Sequence, residues 1–286
     1  MAVTLAVTAA SVVVNAADAA ADGAAEPYVR LYLGNWAGYV VRGEFREVSA
    51  TWVQPRVDCL NPGILQRVVP WVGLNGANGL DGQVALPLVQ TGVESLCASD
   101  VAVYAALPGL QVESAAAGLA YADPDLAGTV MNAGGKLSDL LGAAADGLCS
   151  LGLLGGSCTP DTQVDGWWER YPDAPVSYDD VVVRPGDIMH SVVSWDGGRY
   201  VMTLENRTAK WSRTTVSVSP VPAHTAEIIV EGHLSGALPG FDPITFTDIS
   251  IDGLPLAAYD ADAYGIAATN RLLTPGPIDG TSFTIR

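Results

Sequence analysis

Two blocks of short β-rich runs, each run closed by Gly, Pro, Asn or Asp, constrain this chain more than any other feature. In the first block Gly38–Val41, Val48–Val53, Val68–Leu74 and Val84–Gln90 read as strands. Beyond Trp167 the texture returns in Val176–Val183, Asp187–Trp195, Arg199–Asn206, Thr214–Val218, Ala226–Val230 and Ile244–Ile251. Many short strands that do not alternate with helices predict an all-β antiparallel sandwich, not a parallel α/β fold. Residues 98–165 interrupt the pattern with Ala115–Ala117, Ala143–Ala145 and Leu137, Leu140 and Leu141 at helical spacing among glycines. This stretch reads as an insertion carrying one or two short helices. Residues 254–286 are expected to add edge strands or a tail, so that one sandwich occupies residues 35–286.

Composition narrows the function classes. With 286 residues, 49% of them hydrophobic, the chain can bury a real core, which excludes a disordered or collagen-like protein. Its 14 Lys+Arg against 31 Asp+Glu, with lysine only at Lys136 and Lys210, make no cationic footprint, so nucleic acid and anionic membrane are not expected partners. At low pH the carboxylates would be neutral and the few cations would repel one another little, which suits an acid-exposed protein. The short apolar run Val3–Val14, followed by Ala17-Asp18-Ala19 and Ala19-Ala20-Ala21, reads as a secretory leader over residues 1–34. No Lys or Arg precedes it, so a disordered Ala-rich tail is the other reading. No uninterrupted apolar run reaches transmembrane length. Cys59, Cys97, Cys149 and Cys158 contain no C-x-x-C pair and point to two disulfides, for which the proximity of the segments favours Cys59 with Cys97 and Cys149 with Cys158.

G-x-S-x-G, H-E-x-x-H, D-T-G, D-S-G and a G-x-G-x-x-G turn before a helix are all missing, and Gly135-Lys136 lacks the phosphate-loop frame. His190, His224 and His233 are scattered, so neither metal nor cofactor is expected. The sequon Asn206-Arg207-Thr208 reads as incidental.

Six motifs follow in order: Asn35-Trp36-Ala37-Gly38-Tyr39-Val40, Val48-Ser49-Ala50-Thr51-Trp52-Val53-Gln54-Pro55, Trp71-Val72-Gly73-Leu74-Asn75-Gly76, Val89-Gln90-Thr91-Gly92, Trp168-Glu169-Arg170-Tyr171-Pro172 and Ala226-Glu227-Ile228-Ile229-Val230-Glu231. Together they resemble the glutamic peptidases, the eqolisin family of acid endopeptidases. The resemblance implies a two-sheet, concanavalin A-like sandwich with a concave substrate groove, and a Gln/Glu pair that cleaves peptide bonds at acid pH. The family's catalytic Gln falls on Gln90 and its catalytic Glu on Glu231, with Trp71, Asn75, Glu169, Trp167 and Tyr171 expected to bind the polypeptide substrate. Three departures stand out: Asn75 occupies an Asp position, Gly232-His233 replaces Asp-Phe, and the large insertion replaces a short connection.

Strand alternation agrees with this assignment. Residues i, i+2 and i+4 share a face, so Trp71 goes with Gly73 and Asn75, Leu88 with Gln90, Trp167 with Glu169 and Tyr171, and Glu227 with Ile229 and Glu231. Glu227 reads as an ordinary outward-facing polar position. In the chemistry the resemblance implies, Glu231 would take a proton from water and return it, while the Gln90 amide would hold the water by its oxygen and donate from its nitrogen to the oxyanion. The other reading is a catalytically silent, monomeric binding module for saccharide or peptide, stacking its ligand on Trp36, Trp52, Trp71, Trp167 and Trp168.

Overall fold

The structure, a computed structural model, describes residues 31–60, 63–77, 87–119, 124–232 and 237–286. Most of the leader expectation therefore lies outside the described residues, as do His233 and positions 84–86 of the fourth predicted strand. That strand runs Leu88–Ala98, well past Gln90. The sheet also begins before residue 35, because Leu31–Gly34 pairs in parallel with Ala261–Ala267.

Two sheets stack face to face. The first runs in the order Leu31–Gly34, Ala261–Ala267, Trp36–Phe45, Ala223–Glu231, Gln66–Leu74, Leu88–Ala98, Asp161–Tyr171, Val176–Ser177. The second runs Trp211–Val218, Arg199–Asn206, Ile188–Trp195, Glu47–Val53, Ile244–Ile251, Leu254–Pro255, with Phe283–Ile285 also on Ile244–Ile251. Thus the C-terminal stretch does supply strands, but Ala261–Ala267 lies inside the first sheet rather than at its rim.

Period-two patterning places the core. Tyr200, Met202 and Leu204 are fully buried and alternate with less buried neighbours, so one face of their strand enters the interior. There they join Val48, Ala50, Trp52, Met189, Val193 and Phe246 of the second sheet and Val72, Leu74, Val89, Val93, Ile228 and Val230 of the first. Polar groups in this layer are paired: Trp52 Nε1 donates to Gln54 Oε1 at 3.0 Å, Gln54 Nε2 to Ser95 Oγ at 3.0 Å, and Ser191 Oγ to the Thr91 carbonyl at 2.9 Å. The last two contacts tie the sheets together. The central strands of the first sheet are buried on both faces, because Val40, Val69, Trp71, Leu88, Trp167, Ile229 and Tyr264 form a second apolar layer on the outer side.

Two expectations need correction. Val176–Val183 is a strand only at Val176–Ser177; beyond it Tyr178, Asp180 and Val182 hydrogen-bond to Thr215, Arg213 and Trp211 respectively, side-chain contacts that replace a ladder in a segment whose Asp179-Asp180 pair disfavours strand. The insertion holds two long helices, Asp100–Leu119 and Pro124–Ser150, and its final residues belong to the strand Asp161–Tyr171. Asn206, the buried last residue of the strand Arg199–Asn206, donates to Asp187 at 2.7 Å and accepts from the Ala209 amide at 2.7 Å, in keeping with an incidental sequon.

The helical pair attaches at one end of the first sheet. Asp146 accepts from the Gly63 amide at 3.1 Å, just before the strand Gln66–Leu74, and Ala98 is paired with Asp161 while Gln90 is paired with Glu169. Eight residues of strand, about 26 Å, separate Ala98 from Gln90. Among the described residues no helix is long and apolar enough to cross a membrane.

Both expected disulfides are present, Cys59–Cys97 and Cys149–Cys158. They close loops of unequal length, with sequence separations of 38 and 9. Loop-closure entropy assigns about 4 kcal/mol to the first and about 2.6 kcal/mol to the second. Urea unfolding of the two double Cys→Ser variants should show the larger loss for Cys59/Cys97; an equal or reversed order would contradict this assignment.

Candidate active site

Antiparallel register brings the predicted residues onto one face. Gly73 is opposite Gln90 on one side and Glu227 on the other, and Gln90 is in turn opposite Glu169. Two residues along, Trp71 is opposite Gly92 and Ile229, and Gly92 is opposite Trp167. Glu231 follows, paired with Val69 and with Trp36. These residues share the outer side of the first sheet, the face turned away from the second sheet.

Glu231 is the most heavily supported side chain there. One carboxyl oxygen accepts from Asn35 Nδ2 at 3.1 Å and from the Arg67 guanidinium at 3.2 Å. The other accepts from the indole N–H groups of Trp36 and Trp71, each at 3.2 Å. The guanidinium and the two indoles can only donate, and with Asn35 presenting its NH₂ the arrangement suits a carboxylate. Its side chain keeps 17% exposure, enough to meet a ligand. Desolvation raises its pKa, with Arg67 and the two indoles opposing the rise.

Asn35 and Arg67 were not among the sequence-derived site residues, and Trp36 entered only as a platform residue of the binding-module reading. The motif beginning Asn35-Trp36 carried the signal for two of them, and alternation carried it for the third, since Arg67, Val69 and Trp71 share a face. Arg67 also lies 3.7 Å from Glu94.

Gln90 is 4% exposed, and its Nε2 donates to Glu169 Oε2 at 2.5 Å. Its Oε1 is buried without a hydrogen-bond partner. The pKa of Glu169 is raised to about 7, first by desolvation and then by the charge of Glu231. Tyr171 lies on the same face, with its hydroxyl pKa raised by burial and then by Glu169. Trp167 is nearly buried and its indole nitrogen has no partner.

Two of the residues expected to bind substrate are fully buried here. Trp71 is fully buried and serves Glu231. Asn75, at 0% exposure, donates to the Pro87 carbonyl at 3.2 Å, joining the end of one strand to the start of the next. The five-tryptophan platform is also broken: Trp52 is sealed in the core beside Phe246 and Trp168 packs against that core, leaving Trp36, Trp71 and Trp167 on the outer side of the first sheet.

Glu227, expected to face outward, is fully buried. Its Oε1 accepts from the Gly76 and Ala77 amides at 2.9 and 3.2 Å, and burial pushes its pKa up to about 7. Among the described residues no group of three or more His, Cys, Asp or Glu is placed to hold a metal ion.

A carboxylate, a second carboxyl and an amide thus lie among aromatic side chains on one face of a β-sandwich. The model of the Peptidase A4 family matches residues 34–117 and 146–286, and the chain belongs to that family. The unmatched residues 118–145 fall within the helical insertion. The fold is similar to that of scytalido-glutamic peptidase, solved with a transition state analog inhibitor, at 18% identity and TM-score 0.54 over 88% of this chain and 97% of that one. It is likewise similar to SCP-B, a member of the eqolisin family solved in complex with the tripeptide Ala-Ile-His, at 17% identity and TM-score 0.51 over 88% of this chain and 97% of that one. No curated protein matches the chain in sequence.

Two predictions follow from the geometry. A Cβ on Gly92 would lie 2.3 Å from the Pro70 carbonyl and 2.6 Å from Trp71 Cβ. Gly92→Ala should cost about 1–3 kcal/mol by overpacking, read by urea unfolding, and should perturb tryptophan fluorescence as Trp71 leaves Glu231. Wild-type stability and spectrum would show that the close approach is not required.

The second concerns pH. Glu227 has a folded-state pKa of about 7 against an ordinary 4.5, so its stabilisation is complete below the unfolded value and is lost as pH rises through the folded one. The loss approaches about 1.4 kcal/mol per pH unit between those values. Glu169 acts in the same direction. Thermal unfolding should therefore give a Tm that falls from pH 4.5 to pH 7, with a smaller fall in Glu227→Gln; identical pH dependence in the two proteins would contradict the assignment.

Proposed function

We propose that Gln90 and Glu231 form the dyad of a secreted, acid-active endopeptidase that acts as a monomer on polypeptide substrates. The observation that carries this reading is the four-donor cradle around a still accessible Glu231 carboxylate. Glu231 takes a proton from a water molecule whose oxygen attacks the scissile carbonyl carbon. Gln90 Nε2 donates to the developing oxyanion. Glu231 then returns the proton to the leaving nitrogen, the C–N bond breaks, and a carboxyl and an amine terminus are released. The scheme requires no covalent intermediate and no metal.

The partnerless Trp167 indole N–H supports a substrate contact on the groove floor, since a buried donor gains most from a ligand acceptor. Asn35, Trp36, Arg67 and Trp71 hold Glu231 in place. Secretion is supported by the two disulfides, which persist in oxidising compartments. Acid operation is supported by Glu169 and Glu227, which favour their neutral forms up to about pH 7.

Digestion of an unfolded protein at acid pH tests the dyad. Glu231→Gln keeps the shape and removes the titrating group, and Gln90→Ala removes the oxyanion donor. Each should lower turnover at least about a hundredfold with folding intact. Wild-type turnover in either folded variant would exclude that residue from the dyad.

A further inference from the structure

Gln90 and Glu169 meet in a geometry that their identities do not explain. Their contact is 2.5 Å, below the usual range of an N–H···O bond and at the short end of the O–H···O range. The other end of the same amide, Oε1, is buried without a partner. The nitrogen and oxygen of a carboxamide occupy nearly the same volume, so turning the amide by half a rotation exchanges them without moving any neighbour. After that turn a protonated Glu169 donates its O–H to Gln90 Oε1, the orphaned acceptor is satisfied, and Nε2 takes the buried, partnerless position that Oε1 held, leaving its two N–H groups for a substrate carbonyl.

We propose that Glu169 is a proton-dependent positioning residue. Protonated, it holds Gln90 with its NH₂ aimed at the scissile carbonyl; ionised, it can only accept, so it draws Nε2 back to itself and withdraws a donor from the oxyanion. The proposal rests on the dyad reading, deepens it, and leaves the attacking water to Glu231.

The surroundings keep the proton on Glu169. From the neighbouring strand Gln90 and Glu94 face it, from the next Arg67, and from the one beyond Glu231, while its own strand contributes Tyr171 and Asp165; the short strand Val176–Ser177 has no charged group. Desolvation and the Glu231 charge outweigh the opposing Gln90 contact and Arg67. Desolvation raises the pKa of both carboxyl groups, but the four N–H groups on Glu231 favour its ionised form while Gln90 can turn an acceptor toward Glu169, an arrangement that divides a base from a proton-bearing partner.

The test is the pH profile of kcat for wild type, Glu169→Gln, Glu169→Ala and Glu231→Gln, with folding checked by circular dichroism. In wild type, kcat should fall as Glu169 ionises. Glu169→Ala leaves Oε1 without a donor and should lose about a hundredfold at acid pH. Glu169→Gln supplies an N–H donor at every pH, so it should recover most of that loss. Its kcat relative to wild type should then rise by about tenfold per pH unit above the Glu169 titration, with KM little changed.

An alkaline limb shared by Glu169→Gln and wild type would overturn the proposal and leave the dyad standing, as would a folded Glu169→Gln inactive throughout. Activity in Glu231→Gln would instead remove the dyad reading on which the proposal rests. Infrared spectra supply a measurement independent of turnover. The carboxylic-acid C=O band of the wild type that is missing from Glu169→Gln should vanish over the pH range in which kcat falls. Its disappearance while kcat persists would overturn the switch.

Discussion

A carboxylate taken out of water has to be given hydrogen bonds, and the outer face of the first sheet is organised around that requirement at Glu231. Asn35 and Trp36 come from the start of one strand, Arg67 and Trp71 from another, and the carboxylate from the strand between them. Losing any one donor strips support from a group whose burial is already costly. This explains why the neighbourhood is built of bulky indoles. An indole brings an N–H while excluding water, so the same residues that satisfy the charge also desolvate it.

Holding those indoles demands small residues beside them. Gly92 lets Trp71 lie close to the adjacent strand, and Gly73 faces Gln90 from the strand next to it. The central strands are therefore apolar on both faces, one covered by the second sheet and the other carrying the outer apolar layer. A strand with one face in water could not keep three carboxyl groups in shifted states.

Those three carboxyl groups differ through their partners. Glu231 faces four N–H groups, Glu227 anchors two backbone amides, and Glu169 lies against an amide that can present either end. Acid conditions favour the neutral forms of the last two, so the pH that stabilises the fold is also the pH at which the proposed dyad is set for work. The acidic composition, net charge −17, fits the same conditions because it leaves few charges to repel one another once the carboxylates are protonated.

Much of this was legible in the linear chain because alternation and motif order are local properties. The strand texture gave the sandwich, the six motifs gave the family, and the i, i+2 rule put Gln90, Trp71 and Glu231 each on a common face with its strand neighbours. Segment proximity likewise paired the four cysteines. Side-chain roles were less legible. Asn75 and Glu227 look alike as polar residues at strand positions, yet both are sealed, one on the Pro87 carbonyl and one on the Gly76 and Ala77 amides. Trp52 and Trp168 read as platform residues and face the core. The sequence alone determined which residues share a strand face, because the pleat has a period of two. Only the tertiary structure decided which of those faces meet, which carboxyl loses its water and which N–H groups replace it, because burial and hydrogen bonding depend on strands far apart in the chain, such as those carrying Asn35, Arg67 and Glu231.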